Sequence, residues 1–320
     1  MDIVAKIFGY ILGDGWIDKR GQCGISGEED SLRNIAYDID YVFGCGSSGE
    51  IKTRETYSSK YGIKGTTSQF VVKSYVSHGL QDFGMPTGRR PKQKFHIPKW
   101  IVNGSFETKA SFMSGFYAAE GLIPSLQANK KTPRPLSFCF SKDKDLIDCS
   151  RFVAQQFYSI LHNLGLKASI AETYEKTDCD KVKQTIVIGN SEQDFLHALK
   201  ILDLNYCLSK ENRRLQLITY FEMKSSLREK IKALRDAIIL ERKETSITYL
   251  GLSKKFGLSF RQIEKIIKGR NKGTQVRGFP KFDQKFIDSY CSTETPLNDE
   301  TLSDILRQTT TCQASQRSSA

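Results

Sequence analysis

The sequence predicts an α+β protein made of two similar halves followed by an all-helical basic domain. Three observations carry this prediction. One unusual helix pattern occurs twice, each copy is followed by the same succession of strand and helix signals, and most of the net positive charge lies in a third segment.

The first copy runs from Ile3 to Leu12 (IVAKIFGYIL), is nearly apolar all round, and stops at Gly13-Asp14-Gly15. A helix without a polar face must be buried on several sides. The pattern returns at Phe112 to Ala118 (FMSGFYA) and stops at Ala119-Glu120-Gly121. Aligning Asp14 with Glu120 superposes Gly9 on Gly115, Gly13 on Ala119 and Gly15 on Gly121. Small residues at i and i+4 on one face let two helix backbones approach closely, so the two helices are expected to pack together as the spine of a pseudo-twofold structure.

Each acid sits where a helix ends. A carboxylate there faces the negative end of the macrodipole, so something positive should compensate it. The glycine after each acid suits the left-handed position that ends a helix and leaves both acids at the same end of the pair. Two nearby carboxylates repel unless a divalent cation lies between them, and hard oxygen ligands suit Mg²⁺.

Alternating and helical periodicities then place the other elements. In the first half they give strands at Trp16 to Asp18 and Cys23 to Ser26, a helix from Ser31 to Phe43, strands at Glu50 to Tyr57 and Ser68 to Lys73, and a helix from Ser77 to Phe83. In the second they give a strand at Ser137 to Ser141, a helix from Leu146 to Leu164, strands at Lys167 to Tyr174 and Gln184 to Gly189, and a helix from Glu192 to Leu202.

Ile7-Phe8-Gly9-Tyr10-Ile11-Leu12-Gly13-Asp14-Gly15 and Met113-Ser114-Gly115-Phe116-Tyr117-Ala118-Ala119-Glu120-Gly121 resemble the two motifs of the single-chain LAGLIDADG homing endonucleases. The resemblance covers roughly residues 1 to 204. It implies two αββαββα repeats whose motif helices form the interface and whose curved sheets make a saddle on double-stranded DNA. It also implies a metal-dependent endonuclease that hydrolyses both strands across the minor groove at a long asymmetric site. Asp14 and Glu120, with Gly13 and Ala119, would hold two or three Mg²⁺ ions, for which Mn²⁺ or Ca²⁺ can substitute.

The family also places basic residues beside the metals. Lys142 matches such a lysine, Gly27 occupies the corresponding place in the first half, and Lys73 is a second candidate, with Gly189 or Asn190 opposite. The stretch 89 to 105 resembles the family's connector. Its Arg89, Arg90, Lys92 and Lys94 would lie along DNA or form a solvated linker. The halves are therefore taken as 1 to 88 and 106 to 204.

From Asn205 to Tyr290 the chain carries 20 Lys plus Arg against 9 acids, a net charge of +11 out of +12 for the whole protein. Such a field attracts a polyanion. Within it, Tyr249 to Gly269 reads as a helix-turn-helix with Leu252, Phe256, Leu258, Ile263, Ile266 and Ile267 as its core. Gly257 would make the turn and Ser259 cap the second helix. Lys254, Lys255, Arg261, Gln262, Lys265 and Lys268 are its candidate DNA contacts. The Ser/Thr/Gln-rich stretch 291 to 320 is expected to be disordered.

Other classes are disfavoured by composition. Eight cysteines contain no CxxC pair and the four histidines are isolated, which gives neither a zinc site nor a disulfide framework. No apolar stretch is long enough for a membrane span and no secretion signal is seen, so a cytoplasmic or organellar protein is expected, and the resemblance implies a monomer. An RNA-binding maturase of the host intron, on the same scaffold, and a catalytically silent DNA-binding regulator stand as alternatives. The terminal sequences lack the residues expected of a protein-splicing element.

Overall fold

The computed structural model describes residues 1–58, 63–125, 133–175, 180–189 and 191–269. The expected disordered stretch 291 to 320, the end of the basic domain and Asn190 lie outside the described residues.

The chain is α+β, with two antiparallel sheets and helices packed on them. The first half runs α1 (Asp2–Asp14), β1 (Gly15–Ile17), β2 (Cys23–Gly27), α2 (Glu29–Phe43), β3 (Lys52–Ser58), β4 (Ile63–Val71) and α3 (Ser74–Asp82). Its sheet order is β1-β2-β4-β3. A connector containing the short helix α4 (Lys99–Val102) leads to the second half. There α5 (Phe106–Glu120), β5 (Leu136–Asp143), α6 (Ile147–Asn163), β6 (Ala168–Glu175), β7 (Lys181–Ile188) and α7 (Glu192–Ile201) follow, with sheet order β5-β7-β6.

Among the described residues the sheet of the second half has three strands against four in the first. In place of a counterpart to β1, the described residues show an isolated bridge between Gly121 and Phe138. Strand β4 also begins earlier than its apolar alternation suggests, because it pairs with β3 from Ser58↔Ile63 to Lys52↔Gln69. Backbone pairing extends a strand beyond the part that covers a core.

Helix α1 is buried from Val4 through Gly13, and α5 from Phe112 through Ala118, as helices without a polar face require. They touch backbone to backbone. A Cβ on Gly9 would lie 2.2 Å from the Phe112 carbonyl oxygen, and one on Gly115 would lie 2.0 Å from that of Lys6. On one side Leu32, Ile35 and Ile39 of α2 join Ile25 and Phe70 in the core. On the other, Phe116, Phe138 and Phe157 form an aromatic cluster with ring centroids 4.6 to 5.2 Å apart.

The chain divides inside α8 (Leu208–Thr245) into two compact units, Met1–Ile218 and Thr219 onward. The residues just after 204, grouped by charge with the basic region, thus pack with the first unit. Lys6 pairs with Asp203 at 2.5 Å, the Asn34 side chain donates to the Asn205 carbonyl at 2.8 Å, and buried Tyr206 donates to Asp38 at 2.5 Å.

In the second unit α9 (Tyr249–Phe256) and α10 (Phe260–Ile267) surround a core of Ile238, Leu252, Ile263 and Ile266. Gly257 turns the chain between them in the left-handed region, at φ 64° and ψ 21°. Among the described residues no helix is long and apolar enough to cross a membrane.

Candidate functional site

The tight α1–α5 contact continues to the helix ends. A Cβ on Gly13 would lie 2.3 Å from that of Ala119 and 3.2 Å from Glu120 Cγ, so Glu120 begins against the last turn of α1. Asp14 and Glu120 act on each other electrostatically. Burial, and then the Asp14 charge, pushes the Glu120 carboxyl up to about 6, and burial also raises Asp14.

The glycines after the acids work differently from the expectation. Gly15 (φ −88°, ψ 176°) and Gly121 (φ −69°, ψ 148°) are extended, not left-handed. What each position demands is space. A Cβ would lie 2.8 Å from Ile11 Cα at Gly15, and 2.4 Å from Tyr117 Cδ1 at Gly121. Each chain leaves its helix directly, into β1 after Asp14 and into a bridge with β5 after Glu120.

The positive charge that the helix ends call for is present as side chains. Arg90 donates from Nη1 to the Gly13 carbonyl at 2.5 Å and from Nη2 to that of Gly15. Lys210 sits at the last turn of α5 and donates from Nζ to Ala118 O at 2.6 Å, Ala119 O at 2.9 Å and Tyr117 O at 3.4 Å. Burial lowers the pKa of both cations, and both carboxylates oppose that shift.

Arg90, expected on DNA, is therefore turned inward. The connector still leaves Arg89, Lys92 and Lys94 exposed. Lys210 was missed because macrodipole reasoning asks for a cation without naming it, and this one arrives from 91 residues beyond Ala119. Its place is set by the start of α8, where Leu208 N donates to Ser31 Oγ at 2.9 Å and Leu204 N donates to Glu211 Oε2 at 2.9 Å.

Lys142, read as catalytic, is fully buried and committed to the connector backbone. Its Nζ donates to Gln93 O at 2.7 Å and Arg90 O at 3.1 Å, and lies 4.0 Å from the Phe95 ring centre. It reaches the Asp14 end through Arg90, and the nearby acid acting on its ammonium is Asp143. The matching first-half position, Gly27, has no room for a side chain, since a Cβ would lie 2.6 Å from the Tyr10 hydroxyl. Lys73 is exposed at the β4–α3 junction, where its backbone N–H is bonded to Ser47 O.

A cavity of 1210 Å³ opens beside Glu120, with walls from β1, the connector and β5 and with Arg90, Lys142 and Lys183 in its lining. Among the described residues there is no cluster of three or more His, Cys, Asp and Glu side chains to hold a metal. The acid pair nevertheless offers the hard oxygen donors that suit a divalent ion, whose other ligands would be water and substrate phosphate. The two carbonyls expected to assist, Gly13 and Ala119, already accept from Arg90 and Lys210.

No protein-family model matches the chain. Among curated proteins it is similar to the tRNA-splicing ligase RtcB of Pyrococcus furiosus, 26% identical over 242 residues, which are 72% of this chain and 24% of that protein. The RtcB ligase of Methanocaldococcus jannaschii is 24% identical over 316 residues, covering 90% of this chain and 31% of the relative. The replication factor C small subunit of the same organism is 25% identical over 299 residues, covering 88% and 15%. The chain spans about a quarter of the length of the first of these relatives.

Among solved structures it is similar to the homing endonuclease I-DmoI at TM-score 0.37 and 15% identity, over 63% of this chain and 94% of that one. A complex of I-DmoI with its target DNA in the presence of manganese gives TM-score 0.36 and 16% identity, over 64% and 96%. The LAGLIDADG homing endonuclease I-GzeII bound to its DNA target gives TM-score 0.37 and 12% identity, over 88% and 99%.

The candidate contacts of the second unit divide into two groups. Gln262 is drawn back to its own helix, accepting from Ser259 N at 2.8 Å while its N–H is capped by Ser259 Oγ. Lys255 pairs with Glu241 at 2.8 Å and Lys268 with Glu264 at 2.6 Å. Lys254, Arg261 and Lys265 are exposed and form no ion pair among the described residues.

Proposed function

We propose that the protein is a metal-dependent endonuclease of the LAGLIDADG homing type, cutting both strands of double-stranded DNA at a long specific site. The single observation that carries this reading is the pair of carboxylates, Asp14 and Glu120, delivered side by side by two helices packed backbone to backbone. Two copies of a motif that each end in an acid, brought to one place beside an open cavity, are what hydrolysis of a phosphodiester in each strand requires.

Asp14 and Glu120 would hold Mg²⁺, which on binding supplies an activated water and stabilises charge on the scissile phosphate. Arg90 and Lys210 fix the helix ends and keep the pair from carrying unopposed negative charge. The sheets of the two halves would face DNA as a saddle. Lys254, Arg261 and Lys265 would extend the contact through a helix-turn-helix formed by α9 and α10.

The curated relatives bear names with no chemistry in common, a ligase and a replication factor. A segment similar to 15 to 31% of each has its own activity as the simplest explanation, independent of both names. The test is cleavage of randomised plasmid libraries with Mg²⁺. Discrete double-strand breaks that vanish in Asp14→Asn and Glu120→Gln support the reading. Cutting that survives both substitutions ends it, and RNA binding with no DNA cleavage would transfer the assignment to an intron maturase.

A further inference from the structure

The two carbonyl oxygens at the ends of the motif helices are not vacant acceptors. Gly13 O takes Arg90 Nη1 at 2.5 Å and Ala119 O takes Lys210 Nζ at 2.9 Å. Neither cation is a loose surface charge. Lys210 is 8% exposed and shares its ammonium with the Ala118 carbonyl at 2.6 Å, while Arg90 also bonds Gly15 O and is itself held by Lys142.

A divalent ion taking either carbonyl as ligand would stand beside a fixed positive charge, where protein has displaced much of the screening water and like charges repel strongly. The space between the acids has the opposite character. Asp14 and Glu120 leave the touching helix ends close together, a Cβ on Gly13 falling 3.2 Å from Glu120 Cγ, and bring two like-charged oxygen donors to one place.

We infer that Arg90 and Lys210 act as built-in cations at the two flanks of the site, so that it takes one divalent ion, shared by Asp14 and Glu120, rather than two or three. The inference rests on the proposed metal site at this pair. Of the two cations, Lys210 brings the inference furthest, because it comes from α8, beyond both repeats.

Mn²⁺ binding to the full chain without DNA, followed by the paramagnetic resonance of free Mn²⁺, tests it. One ion per chain is expected, lost in the Asp14→Asn/Glu120→Gln double variant. Lys210→Met removes a fixed charge and should tighten Mn²⁺ binding about threefold to tenfold or admit a second ion, whereas Lys210→Arg, which keeps the charge, should stay within about twofold.

Two or more acid-dependent ions in the unaltered protein overturn the inference. So does a folded Lys210→Met that binds like the unaltered chain. Should Lys210→Met fail to fold, as circular dichroism would reveal, the count in the unaltered protein decides alone. Mn²⁺ binding untouched by the double acid variant instead removes the metal site itself, an outcome distinct from a wrong count.

Discussion

The ends of α1 and α5 each carry an acid followed by glycine, Asp14 in one and Glu120 in the other, but meet the same electrostatic demand with different parts. At α1 the carbonyls are held by the guanidinium of Arg90, from the connector, and that residue is held in turn by Lys142 of the second half. At α5 they are held by the ammonium of Lys210, from α8, whose start is pinned to α2. Each half borrows its cation from the chain that follows it. The repeated motif therefore specifies the demand, and the non-repeated segments supply the answer.

The acids themselves should show the largest effect and the least asymmetry. Asp14→Asn or Glu120→Gln is expected to lower DNA cleavage at least ~1000-fold while leaving binding in Ca²⁺ within a few-fold. Single-turnover cleavage beside a gel-shift titration checks this. A tenfold difference between the two variants in residual nicking of one strand would show that the ends are not equivalent.

Next come the contacts on which both ends depend. Gly9→Ala and Gly115→Ala each push a methyl group into backbone of the other helix, and should cost about 2–4 kcal/mol in a urea denaturation series. A loss below ~0.5 kcal/mol at either site would mean that the helices are not as close as described.

Lys142→Met breaks the comparison on one side only. It strands the Arg90 and Gln93 carbonyls in a buried place, and about 1–3 kcal/mol of stability should be lost, with cleavage reduced through Arg90. Exposed Lys73→Met should shift stability by less than ~0.5 kcal/mol. Equal behaviour of the two lysines would contradict the positioning role given to Lys142.

The smallest effect is on pH dependence. The Glu120 carboxyl is raised to about 6 by burial and by Asp14, above its ordinary value of 4.5. In metal-free protein its contribution to stability is fully present below pH 4.5 and is lost as the pH rises through about 6. Melting temperatures in EDTA across that window should fall with pH in the unaltered chain and flatten in Glu120→Gln. Metal affinity should run the other way, weakening as acid protonates Glu120 below about 6.

Much of the first unit was legible because its signals are local. Apolar positions all round α1, the i,i+4 spacing of Gly9 and Gly13 in one helix and of Gly115 and Ala119 in the other, and the alternation along β5 and β7 each follow from residues near one another in sequence. The partners of the acids were not legible in this way. Arg90 looked like one more solvated cation in a basic run, and Lys210 like the start of a charged helix, because burial of either depends on contacts across 75 to 93 residues. Lys142 shows the reverse case, a lysine placed correctly on β5 and read as catalytic, whose ammonium donates to the Gln93 and Arg90 carbonyls, contacts that the sequence did not signal. In the second unit the apolar core was read well, whereas the inward turn of Gln262 follows from a capping box that the pair Ser259 and Gln262 already encoded.

Because Asp203, Asn205, Tyr206 and Lys210 are stitched to α1, α2 and α5, the repeat boundary near 204 is a poor place for scissors. A fragment stopping there would forfeit both a buried tyrosine and the guest cation of its second spine helix. Engineers who trade such halves like cassettes would therefore need to carry the chain through to Ile218, or each graft would reach its new host with one end uncorked.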